Sequence, residues 1–228
     1  MRRAAEHSTP KPPEYFTFVN DHVLDALPPD AARFLEVGCG EGRLGEEIKR
    51  CRPHTTVHGI ELDERAIGEA AKRLDRVFRA DVSQPLPTLD APYDCVICAD
   101  ILEHLVDPWE ALRRLVSVLG PQGHVVASIP NIRFYKVLRD LVLRGRFTYR
   151  DSGILDSTHL RFFTLREMRG LFCDAGLEVE SVRPRLRGGN LTLQILDRVL
   201  GGRLEPFRAA QYTLVGRRTQ RLPEQVLT

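Results

Sequence analysis

The chain has 228 residues, 43% of them hydrophobic and 28% charged, and a formal net charge of +2. That is ordinary for a globular protein and suits one α/β domain with a modest cap. No apolar run approaches the roughly 20 residues of a membrane span, which excludes an integral membrane protein built on helices. Residues 1–13 carry two arginines with no apolar stretch behind them, so neither a secretory signal nor an anchor is read there, and a loose tail is expected. Five cysteines are an odd number in a chain too large to need disulfide staples, which points to reduced thiols and a cytoplasmic protein.

Strand-length apolar runs alternate with amphipathic helical stretches from about residue 31 to 131, the pattern of a parallel sheet covered on both faces. Strands are predicted at 33–37, 56–62, 77–81, 93–99 and 124–129, with helices at 43–49, 64–74 and 108–119 between them. Asp107 followed by Pro108 is a helix start, and Gly120-Pro-Gln-Gly123 ends the same helix. Cys95 and Cys98 form a CxxC inside an apolar strand, where they point to opposite faces, so neither zinc nor redox use is expected. The segment 132–163 interrupts the alternation and reads as an inserted lid, helical to about Leu143 and then aromatic and glycine-punctuated. A helix at 165–175, a strand at 177–182, a helix at 191–200 and a strand at 211–215 close the core of a domain spanning 14–228. The helix at 191–200 is rich enough in leucine and isoleucine to serve either as core cover or as a dimer face. Between Arg183 and Arg221 nine arginines face two acids, Asp197 and Glu205. That stretch is a solvated face or a contact surface for an anionic or sugar-phosphate partner.

Gly38-Cys39-Gly40-Glu41-Gly42 sits between the first strand and the first of these helices, where a glycine turn lets a ligand approach backbone N–H groups. Arg43 stands where the dinucleotide pattern GxGxxG needs its third glycine, so nicotinamide and flavin cofactors lose support. Glu61 at the second strand tip can accept both hydroxyls of a ribose, and Asp81 after the third can accept from an adenine amino group. Together these features form a nucleoside signature.

The run Phe34 to Gly42, with Glu61, Asp81 and the strand 93–100, resembles the successive motifs of class I S-adenosylmethionine-dependent methyltransferases over residues 31–182. The resemblance implies a Rossmann-like, seven-stranded, mostly parallel sheet flanked by helices. It implies that Glu36 and the loop Gly38, Cys39, Gly40 and Gly42 hold the methionine end of the cofactor. Glu61 with Leu62 would hold the ribose, Asp81 with Val82 the adenine, and Asp100 would lie near the methionine moiety.

After the fourth strand, Asp100, Glu103 and His104 fall on one face if the chain turns helically there. Such a cluster serves as a general-base relay or as ligands of a divalent cation. His159, at the end of the predicted lid, can fold back over it. This D/E-x-x-E-H pattern with a later histidine resembles the ubiquinone-biosynthesis O-methyltransferases and the small-RNA 3′-end 2′-O-methyltransferases, which implies metal ligands Asp100, Glu103, His104 and His159 and a cation such as Mg²⁺. Without metal, His104 or His159 is the natural base, with Glu103 beside it. The runs Gly145-Arg-Phe-Thr-Tyr149 and 153–164 resemble bacterial methyltransferases, some fused to glycosyltransferases, which implies O-methylation of a sugar, a glycan or another small molecule. Tyr149, Phe162 and Phe163 either stack on a sugar ring or pack the lid; Arg150 and Arg161 can hold the acceptor. No Asn/Asp-Pro-Pro-aromatic run follows the fourth strand, which argues against methylation of base amines. The alternatives are an RNA 2′-O-methyltransferase and a nonenzymatic cofactor-binding regulatory partner.

Overall fold

A computed structural model of the protein describes residues 20–187 and 191–219; the tail expected over 1–13 lies outside them. The elements in chain order are α1 (Asp21–Leu24), β1 (Arg33–Val37), α2 (Arg43–Cys51), β2 (Thr56–Glu61), α3 (Glu64–Ala70), β3 (Arg76–Arg79), β4 (Tyr93–Ala99), a 3-10 turn (Leu102–His104), α4 (Pro108–Ser117), β5 (Leu119–Pro130), α5 (Tyr135–Arg144), α6 (Leu165–Asp174), β6 (Leu177–Leu186), α7 (Leu191–Val199), α8 (Glu205–Arg208) and β7 (Ala209–Arg218).

All seven strands join one sheet in the order β3-β2-β1-β4-β5-β7-β6. The first five pair in parallel, and β7 inserts antiparallel between β5 and β6. The strand order reverses between β1 and β4, and ligands of open α/β sheets bind in the crevice at the carboxyl ends beside such a switch.

Alternation along the strands divides the core between the two faces. In β1, Phe34 packs with Val23, Leu44 and Ile48 of the α1/α2 side, while Leu35 and Val37 pack with Leu112, Leu115, Met168 and Phe172 of the α4/α6 side. Cys95 and Cys98 follow the same rule, one in each cluster, both buried as free thiols. Gly216 of β7 is a matter of space: a Cβ there would stand 2.5 Å from Phe172 Cδ1.

Side chains set two helix starts, that of α4 as the sequence predicts and that of α3 as a finding of the structure. Asp63 accepts from the backbone N–H groups of Arg65 and Ala66, both at 2.9 Å, and Asp107 accepts from Glu110 N at 2.9 Å with Pro108 in the first turn. Other boundaries differ. Helix α3 ends at Ala70 rather than residue 74, and α4 at Ser117 rather than 119, because Leu119 already pairs with Tyr93. Gly120 to Gly123 are therefore a bulge within β5 rather than a connector. Strand β3 ends at Arg79, leaving Asp81 in the following turn, and β6 runs on to Leu186 because β7 pairs with it along its length. On α7, Ile195, Leu196 and Val199 are exposed while Asp197 is buried, so these apolar residues do not cover the core. Instead Asp197 accepts from Leu204 N at 2.8 Å and from Arg208, tying α7 to α8. No helix among the described residues is long and apolar enough to cross a membrane.

Candidate functional site

A cleft of about 1880 Å³ opens at the carboxyl ends of β1, β2 and β4. Its floor is the loop after β1. Gly38, Gly40 and Gly42 have φ of +63°, +53° and +77°, a region that side chains rarely adopt. The tight path also brings the β1 and β4 loops together: a Cβ on Gly38 would fall 2.1 Å from Ile101 Cδ1.

Glu36 and Glu61 approach this loop from either side. Glu36 is buried at the end of β1 and accepts from Gly45 N at 3.1 Å. Burial, with Glu61 nearby, pushes its carboxyl up to about 8, and burial beside the same two acids raises the Cys39 thiol. Glu61 accepts from Gly40 N at 2.8 Å through one oxygen and from Leu62 N and Asp63 N at 2.7 and 3.0 Å through the other. Its orientation is thus fixed by backbone donors. Asp81 accepts from Ser83 N at 2.8 Å, Val82 is buried beside it, and Leu62 is exposed; all three line the cleft.

Asp100 departs from the expected helical face. Only Leu102–His104 make a helical turn, and Asp100 precedes it with φ of +56°, turning its carboxylate away toward β5 and β7. It accepts from Ser128 Oγ at 3.1 Å, from Gln211 Nε2 and, at 3.5 Å, from Asn20 Nδ2. Burial raises its carboxyl to about 6, against these hydrogen bonds and the Arg185 charge. Asn20, Gln211 and Arg185 are polar residues of the cleft, and Ser128 lies buried behind Asp100; pattern reading missed all four. They come from four separate places in the chain, and only the fold joins them. Asn20 Oδ1 is buried with no hydrogen-bond donor among the described residues, an acceptor beside the Asp100 carboxyl that suits a cationic amino group.

Glu103, His104 and His159 do converge, one ligand atom of each lying within 4.8 Å of the others. Asp100, expected as the fourth ligand, stands outside this group because its carboxylate is engaged by β5 and β7. His159 Nε2 lies 4.0 Å from Glu103 Oε1, and the two imidazoles meet edge-on at 4.7 Å between centroids. The far nitrogens are anchored. His159 Nδ1–H donates to Ile154 O at 3.0 Å and His104 Nδ1–H to Thr158 O at 3.2 Å, so in the neutral rings each Nε2 is left as the acceptor. Glu103 fixes the segment that carries His159, since its carbonyl accepts from Leu160 N at 2.9 Å and Arg161 N at 3.0 Å. Phe162 meets Phe147 edge-on, and Phe163 packs with Trp109 in the core. Arg161 donates to Val106 O and is not among the residues lining the cleft.

A glycine loop with two strand-end carboxylates at the switch point of such a sheet defines a nucleoside-binding α/β protein of the Rossmann-like type. Comparison with known proteins gives the family. A family profile described as "Methyltransferase domain" matches residues 13–182. A "Probable S-adenosylmethionine-dependent methyltransferase" of Mycobacterium tuberculosis is 29% identical over 198 residues, 79% of this chain and 66% of that protein. A ubiquinone biosynthesis O-methyltransferase of Xylella fastidiosa is 30% identical over 169 residues, 71% of this chain and 67% of that one. A solved S-adenosylmethionine-dependent methyltransferase of Thermotoga maritima shares the fold at a TM-score of 0.61 and 19% identity, covering 87% of this chain and 86% of that one. The chain belongs to the class I S-adenosylmethionine-dependent methyltransferase family. It spans between about half and two thirds of the length of the curated relatives it matches first.

The buried Glu36 makes stability depend on pH. Unfolded, its carboxyl ionises near its ordinary 4.5, whereas folded it keeps its proton to about 8. The folded state binds more protons in that window, so stability falls as pH rises from about 4.5 to 8. Asp100 adds the same slope between 3.8 and about 6. Urea midpoints should fall across this range in wild type, and Glu36→Gln should flatten the upper part; an unchanged slope would place the titration elsewhere.

Proposed function

We propose that the protein transfers the methyl group of S-adenosylmethionine to a hydroxyl oxygen of a sugar, glycan or other small molecule. The observation that carries this reading is the Glu103–His104–His159 group, which lines the same cleft as Glu36 and Glu61. The segment 132–163 acts as the acceptor lid, bringing His159 to the cleft, and its likeness to glycan-associated methyltransferases supports a sugar acceptor. The Xylella fastidiosa relative, named as an O-methyltransferase, supports oxygen as the atom methylated.

The residues present fit the cofactor. Glu61, oriented by three backbone donors, would take the ribose hydroxyls, and Asp81 with Val82 the adenine. Asn20, Asp100 and Glu36 offer acceptors to the methionine amino group. Bound, the cofactor supplies an electrophilic sulfonium methyl, so the protein's tasks are to align the acceptor hydroxyl and remove its proton. His159 or His104 performs the second through its Nε2, with Glu103 stabilising the imidazolium that results. The same three side chains can hold a divalent cation that lowers the hydroxyl's pKa. Two imidazoles and one carboxylate suit zinc or manganese better than magnesium, which prefers oxygen ligands.

Calorimetric titration with S-adenosylmethionine, with and without Zn²⁺, Mn²⁺ or Mg²⁺, tests the reading in wild type and His159→Ala. Cation binding that His159→Ala abolishes selects the metal-assisted form, and cofactor binding without any cation response selects the imidazole base. Failure of wild type to bind S-adenosylmethionine sinks both. Binding without release of S-adenosylhomocysteine on any sugar or phenol would favour the nonenzymatic alternative.

A further inference from the structure

The two halves of the cleft carry opposite charge. Glu36, Glu61, Asp63 and Asp81 line the nucleoside half, while the half formed by α5, the loop after it and the end of β6 is rich in lysine and arginine. On that side Asp140 is paired by Arg139 at 2.8 Å and Arg144 at 2.9 Å, and Asp156 is engaged by Thr158 N and Oγ1 at 2.8 and 2.6 Å. Asp151 is the remaining acid. Lys136, Arg146, Arg150 and Arg187 line the same wall and form no ion pair among the described residues. A solvated face would scatter such cations over the outer surface, whereas these four line one cleft, where Asp140 and Asp156 of the same wall are already engaged and Asp100 and Glu103 stand at its border with the nucleoside half.

The backbone ties this wall to the candidate base. Arg150 N donates to Leu155 O at 2.8 Å, Ser157 N donates to Arg150 O at 2.8 Å, and the residue between them in the chain fold, Asp156, pairs with Arg150 in a bridge. The Ile154 carbonyl of the same stretch holds His159 Nδ1. Arg150 and His159 are therefore mounted on one small folded unit. Arg146 is fixed at the other end of the loop, its N–H donating to Asp140 O at 2.9 Å.

From this arrangement we infer that the acceptor carries an oxyanion, a phosphate or a carboxylate, close to the hydroxyl that is methylated. Guanidinium groups match either oxyanion with paired hydrogen bonds. Seating the charged group against Arg146 and Arg150 leaves the neighbouring hydroxyl to reach the His159 side of the cleft. The inference rests on the methyltransferase reading and narrows its substrate class to charged sugars.

The test uses the full chain saturated with S-adenosylhomocysteine, titrated with glucose, glucose 6-phosphate and glucuronate, and separately with a short single-stranded RNA. At least one charged sugar is expected to bind about tenfold or more tighter than glucose, with the advantage shrinking as salt rises. Arg146→Ser/Arg150→Ser should erase that preference while leaving S-adenosylhomocysteine affinity and thermal midpoint unchanged; Lys136→Ser provides an independent variant should the double one fold poorly. Preference for the phosphate or for the uronate identifies the oxyanion. Equal binding of charged and neutral sugars, or no saturable binding by any charged one, overturns the inference. A tenfold preference for the RNA over both charged sugars overturns it as well, in favour of a nucleic-acid acceptor. Loss of S-adenosylhomocysteine binding by wild type would instead strike the methyltransferase reading itself.

Discussion

Replacing His159 with alanine is expected to slow methyl transfer by about 10²- to 10⁴-fold, the usual worth of a positioned acid or base. Its ring is buried, with Nδ1 anchored on Ile154 O and Nε2 facing Glu103 at 4.0 Å, so geometry already selects which nitrogen takes a proton. Affinity for S-adenosylmethionine should stay within about twofold, because Glu61 and the glycine loop lie in the other half of the cleft. The measurement is release of S-adenosylhomocysteine across the sugar series, followed from pH 5 to 9. In wild type the rate should rise as an imidazole deprotonates, and that limb should vanish in the variant. A variant that keeps both its rate and its pH limb would remove His159 from the chemistry.

Glu61→Ala should weaken S-adenosylmethionine binding by about 10- to 100-fold, since hydrogen bonds donated to a carboxylate contribute roughly 1.5–3 kcal/mol. The carboxylate is held by Gly40, Leu62 and Asp63 N–H groups before any ligand arrives, so little ordering cost remains on binding. Those same bonds shape the loop, and Glu61→Gln, which keeps an acceptor oxygen, separates the two roles. A smaller loss in Glu61→Gln at unchanged thermal midpoint supports ribose contact. Equal losses in both variants with a lowered midpoint would make Glu61 a loop brace only.

The parts of the fold legible in the sequence were those set by short-range physics. Continuous strand-length apolar runs, one followed by Gly38 and the other preceded by Pro92, placed β1 and β4 to the residue, and Asp107-Pro108 fixed the start of α4. The ends of α3, α4 and β6 were less legible because neighbouring strands set them: Leu119 joins Tyr93 before a helical pattern would stop, and β7 extends β6 past its apolar stretch. In the site, Glu36, Gly38, Glu61 and Asp81 were readable because each lies within two residues of a strand end. Asp100 shows the limit. Its spacing from Glu103 and His104 suggested one helical face, and a single residue with positive φ turned it toward Ser128 and Gln211 instead.

The sequence by itself determined the alternating α/β order, the glycine turn with its strand-tip acids, and the residue types available for proton removal, because each depends on neighbours within a few positions. Only the tertiary structure decided which distant groups meet: Glu103 with His159 across 56 positions, Asp100 with Gln211 across 111, and an arginine-lined wall opposite an acidic floor. Those encounters depend on strand order and on the path of the segment between β5 and α6. Both are set by packing on the two faces of the sheet, to which no local pattern in the chain gives a name.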